Sequence, residues 1–270
     1  MTIDFPELET LTFEEAEPGV GILRMNRPER MNSQTVRMFH EYVIASRALR
    51  DAPLRALILT GAGERAFCAG FDLDEISVIT EMGVREFLKF QETATGGIQG
   101  IRHLPYPVIA AIHGPATGGG LALALAGDIR LAAPSAKLSA AFVKVGLSVG
   151  ELGTSYNLTR LVGPAKAAEI AYTARIIAAE EALDIGLVNR IVPAESLMQE
   201  ALAMARQIAA NSPGGVRMSK RAIQRNTEIG SYAAALELEN RGQALLTRTE
   251  DMPEALAAFT QKRAPVFTGR

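Results

Sequence analysis

The chain has 270 residues, room for one large domain or a domain with an appendage. Its 28 basic and 30 acidic side chains leave a net charge of −2, too weak a field to gather nucleic acid or anionic lipid, so neither partner is expected. With 48% hydrophobic and 21% charged residues, the sequence can bury a sizeable core and carries no mark of global disorder.

In chain order, the opening Met1 to Glu15 is acidic and lacks both a basic n-region and an apolar core, so no targeting peptide is read there. Thr12 to Glu17 and Val20 to Met25 flank Pro18-Gly19 and predict a hairpin. Ser33 is placed to cap a helix running to about Arg50, with Val36, Phe39, Val43 and Ile44 near helical spacing. Leu54 to Thr60 reads as a buried strand feeding Gly61-Ala62-Gly63 and a second turn at Ala69-Gly70, after which Asp72 opens a polar, helix-like stretch. About fifty residues later the same logic returns. Val108 to Ile112 is an apolar strand, Gly118-Gly119-Gly120 a turn, Leu121 to Ala126 a helix, and Ile129 to Ala133 a third strand. The recurrence predicts stacked βα-type units, each too small to bury its own apolar face.

Leu104 to Gly127 is long and uncharged, but Pro105, Pro107, Pro115 and the glycine triplet exclude a single membrane-spanning helix. From Gly153 onward the pattern is helical, interrupted by a strand expected at Leu187 to Val192. Pro213-Gly214-Gly215 is the best boundary, dividing residues 1–212 from a tail, 213–270, of three helices near Val216 to Glu228, Tyr232 to Leu246 and Pro253 to Gln261. Three helices alone make a thin core, so the tail is expected to dock on the main body or on other copies of the chain.

The two glycine-rich turns carry most of the chemical information. A strand that feeds a glycine turn opening a helix leaves backbone N–H groups unpaired, and such groups bind developing negative charge. A single glycine turn is equally compatible with tight packing and no ligand. A phosphate cradle is disfavoured: no Gly-Lys-Ser/Thr follows either turn, and Arg65-Ala66 break a dinucleotide fingerprint after Gly61-Ala62-Gly63. The lone Cys68 rules out an internal disulfide and fits a reducing, cytoplasmic setting; in its apolar turn it reads as a core residue rather than a nucleophile. His40, His103 and His113 lack metal-ligand spacing, so no metal is expected, and His113, ending a buried strand, reads as structural.

Taken together, the segments from Gly61 to Leu73, Pro107 to Gly114 and Ala116 to Gly120 resemble the signature of the crotonase family, the enoyl-CoA hydratases and isomerases. Asn26-Arg27-Pro28, Gly127-Asp128-Ile129-Arg130, Leu161-Val162-Gly163, Gly186 to Pro193 and Lys262 to Phe267 are similar to further segments of that family, so the resemblance runs from about Leu11 to Phe267. It implies an α/β fold, a spiral of ββα units with a C-terminal helical oligomerisation region, self-associated as a trimer or dimer of trimers. It also implies a coenzyme A thioester as substrate, with no separate cofactor.

The resemblance gives the two turns one role: the N–H groups of Phe71 and Gly119 would form an oxyanion hole for the thioester oxygen, flanked by Ala69, Gly70, Asp72, Leu73, Gly118 and Gly120. Only backbone is asked of Phe71, whose ring would narrow the acyl pocket. The hydratases of the family carry two glutamates beside the double bond. Ungapped matching puts those positions at Ala122 and Phe142, neither of which can move a proton. The next carboxylate is Glu151, the candidate acid/base, expected to hold its proton above the usual range if partly buried; its alternative is a helix-terminal glutamate complementing the dipole. Arg27 or Arg30, and Lys262 from a neighbouring subunit, are the cations implied for the coenzyme A phosphates. The expected activity is therefore that of an acyl-CoA enzyme, hydratase by resemblance. One-carboxylate isomerase or hydrolase chemistry, and a silent acyl-CoA-binding oligomer, are the alternatives.

Overall fold

Two runs in the sequence, Ala56–Gly61 and Val108–Ile112, are apolar almost without interruption, and both are buried along their whole length. Continuous rather than alternating apolarity is what a parallel strand covered on both faces requires. In the computed structural model, which describes residues 3–270, these strands form the centre of the main sheet.

The elements in chain order are β1 (Leu11–Glu17), β2 (Val20–Met25), α1 (Val36–Arg50), β3 (Ala56–Gly61), α2 (Ile76–Glu81), α3 (Val84–Arg102), β4 (Val108–Ile112), β5 (Pro115–Thr117) and α4 (Gly119–Ala126). There follow β6 (Ile129–Ala132), β7 (Lys137–Ser139), α5 (Thr154–Val162), α6 (Pro164–Thr173), β8 (Ile177–Ala178), α7 (Ala179–Asp184), β9 (Arg190–Ile191), α8 (Leu197–Ala209), α9 (Pro213–Asn226), α10 (Tyr232–Leu246) and α11 (Asp251–Gln261). A six-stranded sheet runs β1-β2-β3-β4-β6-β9, parallel except for the β1–β2 hairpin, and a small sheet runs β5-β7-β8. Each turn of the spiral sends one strand to the large sheet and the next to the small one: β4 then β5, β6 then β7. After β3 the matching piece is a single bridge, Cys68 to Ala116.

The large sheet separates two apolar layers. Leu57, Leu59, Val108, Ala110 and Ile112 face the layer shared with α1, α3 and α4. Ile58, Ile109, Ala111 and Leu131 face the other, closed by Leu197, Ala201 and Ala205 of α8. The period-two alternation of a strand assigns these faces.

Three sequence expectations are corrected. The cap of α1 is Thr35, whose hydroxyl accepts from Met38 N, because the Ser33 hydroxyl is taken by Asp72. The strand expected over Leu187 to Val192 shrinks to Arg190–Ile191, since Leu187 and Val188 turn back to the carbonyl of Ala182. The helix expected from about Val216 starts three residues earlier, with Pro213-Gly214-Gly215 as the first turn of α9, capped by Ser212. The tail is helical and tied to the main body: Lys220 Nζ donates to Tyr106 O at 2.9 Å and pairs with Asp128 at 2.7 Å. By contrast, α10 buries none of its residues. Among the described residues no helix is long and apolar enough to cross a membrane.

Candidate active site

The loop after β3 and the turn after β5 are stitched together by backbone hydrogen bonds. Cys68 N donates to Pro115 O and Thr117 N to Cys68 O, each at 3.0 Å. Gly70 sits at φ +99°, in the left-handed region, and a methyl there would come within 2.7 Å of Thr117 O and 3.8 Å of Gly119 N. The chain bearing Phe71 and the amide of Gly119 are thus direct neighbours, although 48 positions separate the two residues in the sequence.

Both amides are left free. Phe71 forms a parallel bridge with Gln34 in which the bonds are made by its neighbours: Gln34 N donates to Gly70 O (2.7 Å) and Asp72 N to Gln34 O (2.8 Å). In that register the N–H of Phe71 points the other way, and none of the described residues accepts it. Gly119 opens α4, where the first amides have no intrahelical acceptor. Gly118 N, one residue earlier, is satisfied by Ser139 O at 2.9 Å.

Phe71 and Gly119 line one cavity of about 240 Å³ together with Ala69, Gly70, Gly118, Leu73, Phe142 and Glu151. Its apolar wall is a set of phenylalanines. The rings of Phe39 and Phe71 stack at 6.4 Å, and Phe90 meets them edge-on at 5.7 and 6.4 Å, with Phe87 beyond. The ring of Phe71 therefore belongs to the wall. Phe142 is buried, and its ring lies 3.9 Å from where a Cβ on Gly118 would stand.

Glu151 is the only carboxylate among the lining residues, and Lys144 the only cation. It precedes α5 by a sharp reversal in which Leu152 (φ 51°) and Gly153 (φ 78°) are both left-handed. Such a conformation is uncommon for leucine and is held here by its buried side chain, which also lines the cavity. The reversal places Glu151 two residues before the N-cap of α5, Gly153, and its carbonyl accepts from Thr154 N at 2.8 Å. Burial raises its carboxyl above the ordinary value, and the amide of Gln91 pulls the other way.

Other expected site residues stand elsewhere. Ala122 is fully buried in the core cluster and does not reach the cavity, and Gly120 faces the carbonyl of Cys68. Asp72 is buried beside the site, where desolvation would raise its carboxyl, but Arg30, Arg27, Asp74 N and Ser33 hold it well below the usual range. Arg27 Nη1 is spent on Ser33 O at 2.7 Å and Asp72 at 2.8 Å, and Arg30 pairs with Asp72 and Asp74, so this cluster braces the loop from within. Lys262 is exposed at the left-handed end of α11, away from the cavity lining. The Cys68 thiol is buried and pushed up to about 12 by desolvation, as a core residue should be. His113 is likewise off the cavity, with its Nδ1 3.5 Å from the Thr60 hydroxyl, and burial lowers its pKa.

Sequence reasoning missed Gln34, Gln91 and the α3 wall. Phe87, Phe90, Gln91 and Ala94 fall at i, i+3, i+4 and i+7, so the face was legible in the periodicity, though not what it faced. Gln34 left no signal.

Comparison with known proteins places the chain among its relatives. Residues 15–270 match the model of the family described as "Enoyl-CoA hydratase/isomerase". A protein named "Probable enoyl-CoA hydratase echA12" from Mycobacterium bovis is 40% identical over 264 residues, covering 94% of this chain and 91% of its own. The "Short-chain-enoyl-CoA hydratase" of Clostridium acetobutylicum is 39% identical over 253 residues, covering 92% and 94%. The crystal structure of an enoyl-CoA hydratase from Bacillus anthracis superposes with a TM-score of 0.91 at 35% identity, over 97% of this chain and all of that one. With sequence and fold in agreement over nearly its full length, the chain belongs to the enoyl-CoA hydratase/isomerase family.

Proposed function

We propose that this protein is an acyl-CoA enzyme that forms a thioester enolate, with Phe71 N–H and Gly119 N–H as the oxyanion hole and Glu151 as the single proton carrier. One observation carries the reading: two unpartnered amides and one half-buried carboxyl line the same, largely apolar cavity. As the α-proton leaves, negative charge gathers on the thioester oxygen. Preorganised donors stabilise it there, and losing one typically costs about 3 kcal/mol of barrier. A carboxyl held above its ordinary pKa is matched to taking and returning a proton near neutrality. The chemistry calls for no cofactor beyond the coenzyme A of the substrate.

With a 3-enoyl thioester, Glu151 takes the Cα proton, the electron pair spreads through the dienolate, and the same proton returns at Cγ to give the 2-enoyl product. One group suffices. Hydration of a 2-enoyl thioester is the second reading, favoured by the names of the relatives. There Glu151 would both activate water and protonate Cα, since Ala122 and Phe142 supply no second carboxyl.

Lys262 of an adjoining copy is proposed to meet the coenzyme A phosphates. Self-association as a trimer or dimer of trimers is supported by α10, which buries nothing in the single chain, and by exposed Ile223, Leu245 and Phe259 on the tail. Sedimentation of the full chain tests it.

For the reaction, a saturated acyl-CoA in D2O reports enolate formation directly, through exchange of the α-protons. A panel of 2-enoyl and 3-enoyl thioesters then separates hydration from migration. Exchange that disappears in Glu151→Gln supports the reading; binding with neither exchange nor turnover in the native protein marks a silent acyl-CoA binder.

A further inference from the structure

Gln34 is fully buried, and it touches both loops of the site at once. Its backbone N–H and C=O bond to Gly70 O and Asp72 N, on either side of Phe71. Its side-chain Nε2 donates to Gly119 O at 3.3 Å. Its carboxamide also seats against the Cα of Gly119: a methyl there would overlap Gln34 Oε1 and stand 3.2 Å from Cδ. The residues on both sides are anchored too. Asn32 Nδ2 donates to Ala62 O and Ala66 O at 2.9 Å, and Thr35 caps α1. A single rigid residue therefore fixes the backbone that carries one free amide and the glycine that carries the other.

One atom of that side chain is out of place for a purely structural residue: Oε1 is buried and accepts from nothing. A buried polar group without a partner costs stability, and an apolar side chain of the same length would avoid the cost. What a glutamine adds there is the Nε2 donor on Gly119.

We propose that Gln34 is the positioning residue of the oxyanion hole, holding Gly119 by its Cα and carbonyl and thereby fixing where its N–H stands relative to that of Phe71. The inference rests on the enolate reading above.

The test compares native protein with Gln34→Met, which keeps length and loses the donor, and Gln34→Glu, which keeps shape and replaces the donor with a second acceptor. Three quantities are measured: thermal melting, kcat and KM on the best enoyl-CoA, and the carbonyl stretch of bound [1-13C]hexanoyl-CoA by difference infrared. In the native protein the stretch shifts to lower wavenumber on binding. In Gln34→Met the melting temperature is unchanged or higher, the shift shrinks, kcat falls about tenfold and KM changes little, because positioning acts on the transition state. In Gln34→Glu the shift and kcat fall at least as far. An undiminished shift with native kcat in Gln34→Met would overturn the proposal, as would stability and activity lost in parallel with the shift intact. Absence of any shift in the native protein would overturn the oxyanion hole itself, and this inference with it.

Discussion

The amides and the carboxyl of the cavity are held in different ways. On the amide side every anchor is long-range: Cys68 bridges Ala116, Gly70 meets Gln34, and Gln34 reaches Gly119 across 85 positions. On the carboxyl side, the backbone hydrogen bonds of residues 141–153 are local. Leu147 N donates to Phe142 O, Gly150 N to the Ser148 hydroxyl, and Val143, Lys144 and Val145 are exposed. On the proposed reading, the part that stabilises charge is built into the framework of the spiral, whereas the part that moves the proton hangs from a loop. A fold arranged in this way can keep one oxyanion hole while the acid/base group shifts from one loop position to another. Such an arrangement would accommodate the proposed hole beside Ala122 and Phe142.

If the amide side is rigid, a single methyl should be disastrous there. Gly119→Ala has no room for its Cβ against the Gln34 carboxamide; overpacking of about 1–3 kcal/mol is expected, with kcat down at least about a hundredfold. Melting and single-turnover rates check this. On the loop side, Glu151→Gln should fold and bind acyl-CoA normally yet lose about a hundredfold or more in turnover and α-proton exchange.

The pH dependence sharpens the contrast. Glu151 must be ionised to take a proton, so kcat/KM should rise along an acid limb whose midpoint lies above the ordinary carboxyl value of 4.5, and Glu151→Gln should flatten it. Its effect on stability has the opposite sense. A carboxyl whose native pKa is raised contributes stability fully below 4.5 and loses it as pH rises through the native value, so Glu151→Gln should melt higher than native protein at neutral pH. The smallest effect is expected for Asp72→Asn, which removes the brace to Arg27 and Arg30 without touching the cavity lining. Asp72 has a depressed native pKa, so its contribution is present above its ordinary value of 3.8 and lost as pH falls. The variant should melt a few degrees lower at pH 7 and show a weaker acid-induced loss, with near-native kcat.

The main elements were readable from physical patterning, whereas the roles of Phe71, Gly119 and Glu151 were read from the resemblance to the family. The hairpin around Pro18-Gly19 and the strand Val108–Ile112 emerge where patterning put them, since a covered parallel strand has to be apolar throughout. The glycine triplet marked the turn that frees the Gly119 amide. The small sheet was not legible: β5, β7 and β8 have two or three residues each, too few for any period. Ser33 was the plausible cap by residue type, and only Asp72, distant in sequence, shows why Thr35 serves instead. Gln34 was invisible because its importance lies in Gly119, which the sequence places in another unit of the spiral.

The central claim is most directly tested by a crystal structure with a bound, unreactive acyl-CoA thioester. The thioester oxygen should lie within about 3 Å of both Phe71 N and Gly119 N, with the α-carbon turned toward Glu151. An oxygen bound by side chains elsewhere in the cavity, or by only one of the two amides with Glu151 facing solvent, would contradict it.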